Sequence, residues 1–327
     1  MTVPALSASL LNQTLQLGAL RLRNRVFVAP MSGVSDLPFR RLALAGAGSR
    51  QESRRRLQNG EEEDGCPPAV VQLIGHEPPA MAEAARIAAA NGAQMIDINM
   101  GCPAKKLAGQ AAGGETACGA ALMRDEILAL RVIEAVMAAA ALPVSVKMRL
   151  GWDETALTAP GLARRAEQAG VKMIIVHART RQQFYQGQAD WAAVRAVREQ
   201  ITVPLIVNGD IVSRNEAEQA MALSGADGVM IGRASYGQPW LAGTIAGHEP
   251  PANIAAYSAA HYRAMLAYYG RPRGVRHARK HLDWYLQKHV AGYYSPAERA
   301  EILASLDPAF VETRLAAIFA RAESNKA

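Results

Sequence analysis

The sequence predicts an α/β protein: a TIM (β/α)8-type barrel followed by a small all-α helical-bundle domain. Three observations carry that prediction. Short β-branched apolar runs alternate with longer Ala-, Arg- and Glu-rich stretches as far as Trp240. Such repeated strand–helix units imply right-handed crossovers and an all-parallel sheet, and their period suits a closed barrel better than an open sheet. Beyond Trp240 the strand pattern stops and helical spacing continues to the end. The 327 residues, half of them apolar, suffice for one barrel-sized domain with a sizeable core and a smaller second domain.

The predicted strands span 26–30, 70–74, 95–99, 144–148, 173–177, 205–208 and 229–231, each a short run rich in Val, Ile, Leu or Met. Helices are expected near 36–45, 79–91, 125–139, 161–169, 191–199 and 215–223. That makes seven strands, whereas a closed barrel of this type has eight. The slot for the second falls before Val70, where the chain reads Ser49-Arg-Gln-Glu-Ser-Arg-Arg-Arg-Leu-Gln-Asn-Gly-Glu-Glu-Glu-Asp64. So charged a segment does not suit a barrel interior, and the barrel is expected to lack its second strand. The expected domains are a barrel over 1–243, a linker over 244–253 containing Gly247 and Pro250-Pro251, and a helical domain over 254–327.

Lys and Arg number 36 against 29 Asp and Glu, which gives a formal charge of +7 and a pI near 9.5. That balance favours an anionic partner, nucleic acid more naturally than a membrane. Cys66, Cys102 and Cys118 show no Cys-x-x-Cys spacing, which argues against a disulfide framework or a zinc site. The N-terminal stretch carries no basic region ahead of an apolar run, and no apolar segment reaches the ~18 residues of a membrane span. The expectation is a cytoplasmic monomer with no metal ion and no membrane contact, in which Cys66 and Cys118 are structural.

Barrel active sites gather at the carboxyl ends of the strands. The most informative such end is Asn99-Met-Gly-Cys-Pro-Ala-Lys-Lys106, directly after Met95-Ile-Asp-Ile98. Gly101 lets the backbone approach a ligand, Pro103 fixes the following turn, and Lys105 and Lys106 add charge beside the Cys102 thiol. Taken alone the stretch reads more readily as a turn with a buried cysteine. Pro30-Met-Ser-Gly33 ends the first strand, Gln72 lies in the next, and His177 with Arg179 ends the fifth. Lys147 sits inside Val-Ser-Val-Lys-Met and needs a partner, because an unpaired buried ammonium is costly. Asn208-Gly-Asp210 and Gly232-Arg233 end the last two strands, where barrels often cradle phosphate.

Together these blocks resemble the bacterial tRNA-dihydrouridine synthases, from about Leu20 to Gly243 and again in the C-terminal region. The shared residues are Ala29-Pro-Met-Ser-Gly-Val-Ser-Asp-Leu-Pro-Phe-Arg40, Val71-Gln-Leu73 and Asp97-Ile-Asn-Met-Gly-Cys-Pro-Ala-Lys-Lys106. They continue with Val146-Lys-Met-Arg149, Val176-His-Ala-Arg-Thr180, Val207-Asn-Gly-Asp-Ile211 and Met230-Ile-Gly-Arg233. The resemblance implies an FMN-dependent oxidoreductase in which NADPH reduces the flavin, which then reduces the C5–C6 double bond of specific tRNA uridines. It implies Cys102 as the proton donor to C5, a role suited to a thiol whose ordinary pKa near ~8.5 keeps it protonated at neutral pH. The uridine must leave its stack to meet the flavin face.

By the same resemblance Pro30, Met31 and Ser32 line the flavin, Gln72 and Lys147 contact the isoalloxazine, and His177 matches a flavin-proximal position. Asn208, Gly209 and Asp210 sit near the ribityl chain, and Gly232 with Arg233 hold the phosphate. The expected RNA contacts are Lys105, Lys106 and Arg179 at the barrel mouth and Arg276, Arg279 and Lys280 in the helical domain. The last three belong to Arg271-Pro-Arg-Gly-Val-Arg-His-Ala-Arg-Lys280, a stretch whose phosphate contacts would be salt-sensitive.

The chain departs from the family pattern in two places. Gly46-Ala-Gly48 runs straight into the charged segment where relatives carry a second strand, and the Gly-rich stretch after Lys106, over 107–119, is long. A missing strand would expose two ladder edges and destabilise the barrel by several kcal/mol, on the order of a lost core element. Two other readings remain: an FMN barrel reductase of a small substrate, which would not need the basic helical region, and a tRNA-binding homologue with impaired catalysis.

Overall fold

The chain's computed structural model describes residues 10–45, 70–104 and 118–325. A hairpin of β1 (Leu15–Leu17) and β2 (Leu20–Leu22) precedes the barrel elements: β3 (Val26–Val28), α1 (Leu37–Ala45), β4 (Val70–Leu73), α2 (Pro78–Ala90) and β5 (Met95–Met100). There follow α3 (Glu126–Ala139), β6 (Val144–Arg149), α4 (Ala159–Gln168), β7 (Met173–His177), α5 (Arg195–Arg198), β8 (Leu205–Asn208), α6 (Arg214–Ser224), β9 (Gly228–Ile231) and α7 (Leu241–Ile245). Four further helices follow: α8 (Ile254–Tyr269), α9 (Arg271–His289), α10 (Pro296–Ala304) and α11 (Pro308–Ser324).

The seven barrel strands pair in parallel in the order β3-β9-β8-β7-β6-β5-β4. The first strand therefore lies beside the last, as a curled barrel sheet requires. Among the described residues the sheet is open between β3 and β4, the place where the sequence leaves the second strand out. The charged segment 49–64, Cys66, Lys105, Lys106 and most of the Gly-rich stretch lie outside the described residues.

Alternation along the strands sorts side chains into two cores. Ile96, Ile98, Val144, Val146, Ile174, Val176, Val207, Val229 and Ile231 face outward and join the apolar faces of the surrounding helices in one buried cluster. Met95, Met173, Ile175, Ile206 and Met230 point inward and meet Leu15, Leu17 and Leu22 of the hairpin. The hairpin thus plugs the amino-terminal end of the barrel. Its three buried leucines are each worth roughly 2 kcal/mol of transfer free energy. Sequence periodicity gives no sign of these three-residue strands, which turn at Gly18 with φ +62°.

The outer helices start and stop on local signals. Asp125 caps α3 by accepting from Leu128 N–H, Ser213 caps α6 from Glu216 N–H, and α6 ends on Gly225 in the left-handed region. The helix expected over 191–199 is a 3-10 turn, Ala192–Val194, followed by the single turn of α5. Helix α7 runs to Ile245, so its last residues are helical where the sequence suggests linker. Among the described residues no helix is long and apolar enough to cross a membrane.

Helices α8 to α11 enclose their own core, including Tyr262, Met265, Leu282, Leu286, Leu315 and Phe319. Gly274 lets α9 press on α8, since a Cβ there would lie 2.8 Å from Leu266 Cα. This bundle is stitched to the start of the barrel. Lys280 Nζ donates to Gly33 O, Tyr269 OH donates to Asp36 Oδ2 at 2.9 Å, and Tyr257 OH donates to Leu42 O at 2.9 Å. The Tyr236 and Trp284 rings stack across the junction with centroids 3.9 Å apart. Phe39 of α1 lies buried against His261 and His281.

Candidate active site

Above the apolar floor the barrel interior turns polar, because the next inward positions on the same strands are Gln72, Asp97, Asn99, Ser145, Lys147, His177 and Asn208. Parallel register sets them side by side: Gln72 beside Asp97, Asp97 beside Ser145, Asn99 beside Lys147, and His177 beside Asn208. Gln72, Asn99, Lys147, His177 and Asn208 form the base of a cavity of about 1600 Å³ at the carboxyl ends of the strands. Cys102 lines this cavity together with Pro30, Met31, Ser32, Gln72, Lys147, His177, Asn208, Gly209, Asp210, Gly232 and Arg233. The structure thus gathers the expected catalytic residue and every expected cofactor residue around one space.

The loop bearing Cys102 is held from both sides. Asn99 Oδ1 accepts from the backbone N–H of Gly101 at 3.0 Å and of Cys102 at 2.9 Å. Arg149 Nε donates to Gly101 O at 2.8 Å, and Ala120 N–H donates to Cys102 O at 3.0 Å. Gly119, at φ +63°, has no room for a side chain, since a Cβ would lie 2.8 Å from Cys102 O. The Cys102 side chain is half-buried at the edge of the cavity.

Charge inside the barrel is unevenly matched. Burial, followed by repulsion from Arg149, lowers the Lys147 ammonium to about 8, against attraction to Asp97 and Cys102. Its side-chain hydrogen bond goes to Asn208 Oδ1 at 3.2 Å, and Asn208 Nδ2 is spent on Met230 O at 2.7 Å. Burial raises the Asp97 carboxyl to about 6, despite hydrogen bonds from Ser145 and Gln72 and the charge of Lys147. Burial and the cations Lys147, Arg149, Arg179 and Arg233 push His177 well below its ordinary value, so its ring is neutral.

The far wall is built on Arg179 and Asp210. Arg179 is 1% exposed; it donates to both carboxylate oxygens of Asp210, to Gln186 O at 3.0 Å and to Gly187 O at 2.6 Å. Its charge is therefore spent inside the protein, shaping the wall beneath Asp210. Burial would raise Asp210, but Arg179, the Ala189 N–H and Arg233 outweigh it and hold the carboxyl below its ordinary range. Gly209 takes φ +124°, where a Cβ would meet Ala189 Cβ at 2.9 Å. A Cβ at Gly232 would make only an ordinary contact, with Ala29 Cβ at 3.8 Å. Tyr185 stands at the mouth beneath the guanidinium of Arg233, 4.5 Å from its ring centroid, with Arg149 at 5.4 Å.

The bundle reaches the same mouth through Tyr268, Tyr269 and Arg273. Arg276 is exposed on α9 with Nε donating to Pro272 O, Arg279 donates to Ala304 O, and Lys280 is tied to Gly33 O. Sequence reasoning passed over Asn99, Arg149, Asp97 and Ser145 as site residues. Each stands an even number of positions from Lys147 or Met95 on its strand, and that alternation is the signal that places them inside. Tyr185, in an irregular loop, offers no such signal.

Comparison with known proteins agrees with this geometry. The dihydrouridine synthase (Dus) family pattern matches residues 27–302. A probable tRNA-dihydrouridine synthase of Rhizobium leguminosarum bv. phaseoli is 50% identical over 306 residues, 90% of this chain and 94% of that one. One of Rhodobacter capsulatus is 45% identical, covering 95% of this chain and 99% of that one. A tRNA-dihydrouridine synthase B of Xanthomonas axonopodis pv. citri is 40% identical, covering 88% and 92%. Among solved structures, morphinone reductase in complex with tetrahydroNAD superposes with a TM-score of 0.50 at 17% identity, covering 76% of this chain and 93% of that one. Histamine dehydrogenase from Rhizobium sp. 4-9 does so with a TM-score of 0.53 at 12% identity, covering 79% and 51%. Those two share the fold; the sequence relatives and the family pattern together show that this chain belongs to the dihydrouridine synthase family.

Proposed function

We propose that the protein is an FMN-dependent tRNA-dihydrouridine synthase, drawing electrons from NADPH and acting in the cytoplasm as a monomer without a metal ion. One observation carries the reading: the thiol of Cys102 opens onto the same cavity as all the residues expected to hold a flavin. The cavity suits that group. Lys147 offers three N–H donors and spends one on Asn208, which leaves donors for ring carbonyl or nitrogen atoms. Met31 and Met230 supply apolar surface for a flat ring, and Gly232 with the half-exposed Arg233 leaves room and charge for a phosphate. When bound, FMN supplies the hydride that adds to C6 of the uracil ring.

The protein's own part is positioning and proton supply. Cys102 gives its thiol proton to C5 of the ring on the side facing the cavity, and the thiolate left behind recovers a proton from solvent. Lys147 and Arg149 line the same cavity as Cys102. Arg149 also fixes the loop through Gly101 O. Neutral His177 adds no further positive charge to a wall already rich in it. The tRNA is held through its phosphates by exposed cations at the mouth and on α9, of which Arg273 and Arg276 keep their charge directed outward.

The test is to incubate the protein with NADPH and unmodified tRNA and to map dihydrouridine, with Cys102→Ala alongside. Dihydrouridine at defined positions, lost by on the order of a hundredfold in the alanine variant, is the expected result. Equal yields from both proteins would remove Cys102 from the mechanism, and no product from either would refute the activity.

A further inference from the structure

Asp97 touches neither the reactive thiol nor its loop, yet the hydrogen bonds leading from it end on that loop. It stands on β5, 2% exposed, with Oδ1 accepting from Ser145 Oγ at 2.6 Å and Oδ2 accepting from Gln72 Nε2 at 2.6 Å. Gln72 Oε1 in turn accepts from Asn99 Nδ2 at 2.9 Å. Asn99 Oδ1 is thereby left to accept from the N–H groups of Gly101 and Cys102. A side-chain amide can turn end for end with little change of shape, so what fixes each one is its partners.

A carboxylate accepts and does not donate. Asp97 therefore forces the Gln72 amide to present its NH2 downward and its oxygen upward. That oxygen forces the Asn99 NH2 toward it and the Asn99 oxygen toward the loop. The chain of donors and acceptors runs in one direction from strand interior to reactive turn, with the polarity set at its buried end. We propose that Asp97 is a positioning residue for the reaction: acting through Gln72 and Asn99, it fixes the backbone of the loop that carries Cys102. The catalytic consequence rests on Cys102 being the proton donor; the structural consequence does not.

The experiment uses the full-length holoprotein and two variants. In Asp97→Asn the side chain presents one acceptor where the carboxylate presents two, so the polarity of the chain is no longer imposed. Gln72→Leu removes the middle link with a side chain that needs no partner, and it carries the test should the first variant fail to fold. Residue-resolved amide hydrogen exchange is expected to be about tenfold faster at Gly101 and Cys102 in both variants, and within about twofold of wild type at Ile96 and Ile98 on the same strand. In Asp97→Asn, single-turnover formation of dihydrouridine should fall by about tenfold while tRNA affinity stays within about twofold. Unchanged exchange at Gly101 and Cys102 in the folded variants overturns the proposal. Should Cys102→Ala remain fully active, the proton-donor reading fails while the exchange result stands. Should Cys102→Ala be inactive and exchange unchanged, the positioning role fails alone.

Discussion

Lys147→Met separates what the buried ammonium does for function from what it does to stability. The folded state lowers this group from its ordinary 10.5 to about 8, mainly by burial and then by the nearby Arg149. Between those values the unfolded chain binds a proton that the folded chain does not, so stability rises with pH across that window and is lowest below about pH 8. At about 1.36 kcal/mol per unit, the ammonium costs the folded protein about 3 kcal/mol at neutral pH. Methionine removes that cost but leaves Asn208 Oδ1 without its donor, a loss of about 1 kcal/mol. The flavin-free variant should therefore be about 2 kcal/mol more stable than wild type near pH 7 and about 1 kcal/mol less stable near pH 10.5. The curves should cross in between. Urea unfolding of the flavin-free proteins at a series of pH values measures this, and flavin retention by the same variant should be lost. A variant less stable than wild type near pH 7, or a difference that does not move with pH, would refute the reasoning.

Three further outcomes follow from the geometry. Gly209→Ala places a side chain at φ +124° and 2.9 Å from Ala189 Cβ, and should destabilise by about 1–3 kcal/mol in denaturant unfolding, with Ala189→Gly recovering part of the loss. Arg179→Lys replaces a fork that reaches Asp210, Gln186 and Gly187 at once, and should destabilise by about 2–4 kcal/mol with a visibly lower melting temperature. Arg276→Ala should weaken tRNA binding and make the slope of log affinity against log salt shallower by about 1, with turnover at saturating tRNA unchanged.

The barrel was readable because short runs rich in Val, Ile and Met, such as β5, β6 and β7, recur between helical stretches, the pattern of a parallel sheet covered by helices. Asn99 and Arg149 alternate in step with Met95 and Lys147, so their inward facing is legible, but only the buried ammonium of Lys147 stands out without that count. The hairpin β1–β2 is invisible to pattern because three residues are too few to show a period. The fates of Arg179 and Lys280 depend on acceptors far away in sequence, Asp210 and Gly33, which no local window contains. Charge in a motif says that a cation is needed; only the fold says whether it faces a ligand or another part of the chain.

The stitching of the bundle to the barrel bears on how this enzyme can be taken apart. Lys280, Tyr269 and Tyr257 hold the turn and helix that follow β3, and that turn carries Pro30, Met31 and Ser32 into the cavity. Removing the bundle would strip a scaffold from the pocket and uncover Phe39 as well as taking away an RNA-facing surface. A shortened chain that loses activity would thus say little about RNA. Swapping individual charges on α9 leaves the scaffold in place, and is the cleaner way to ask what that helix contributes to holding tRNA.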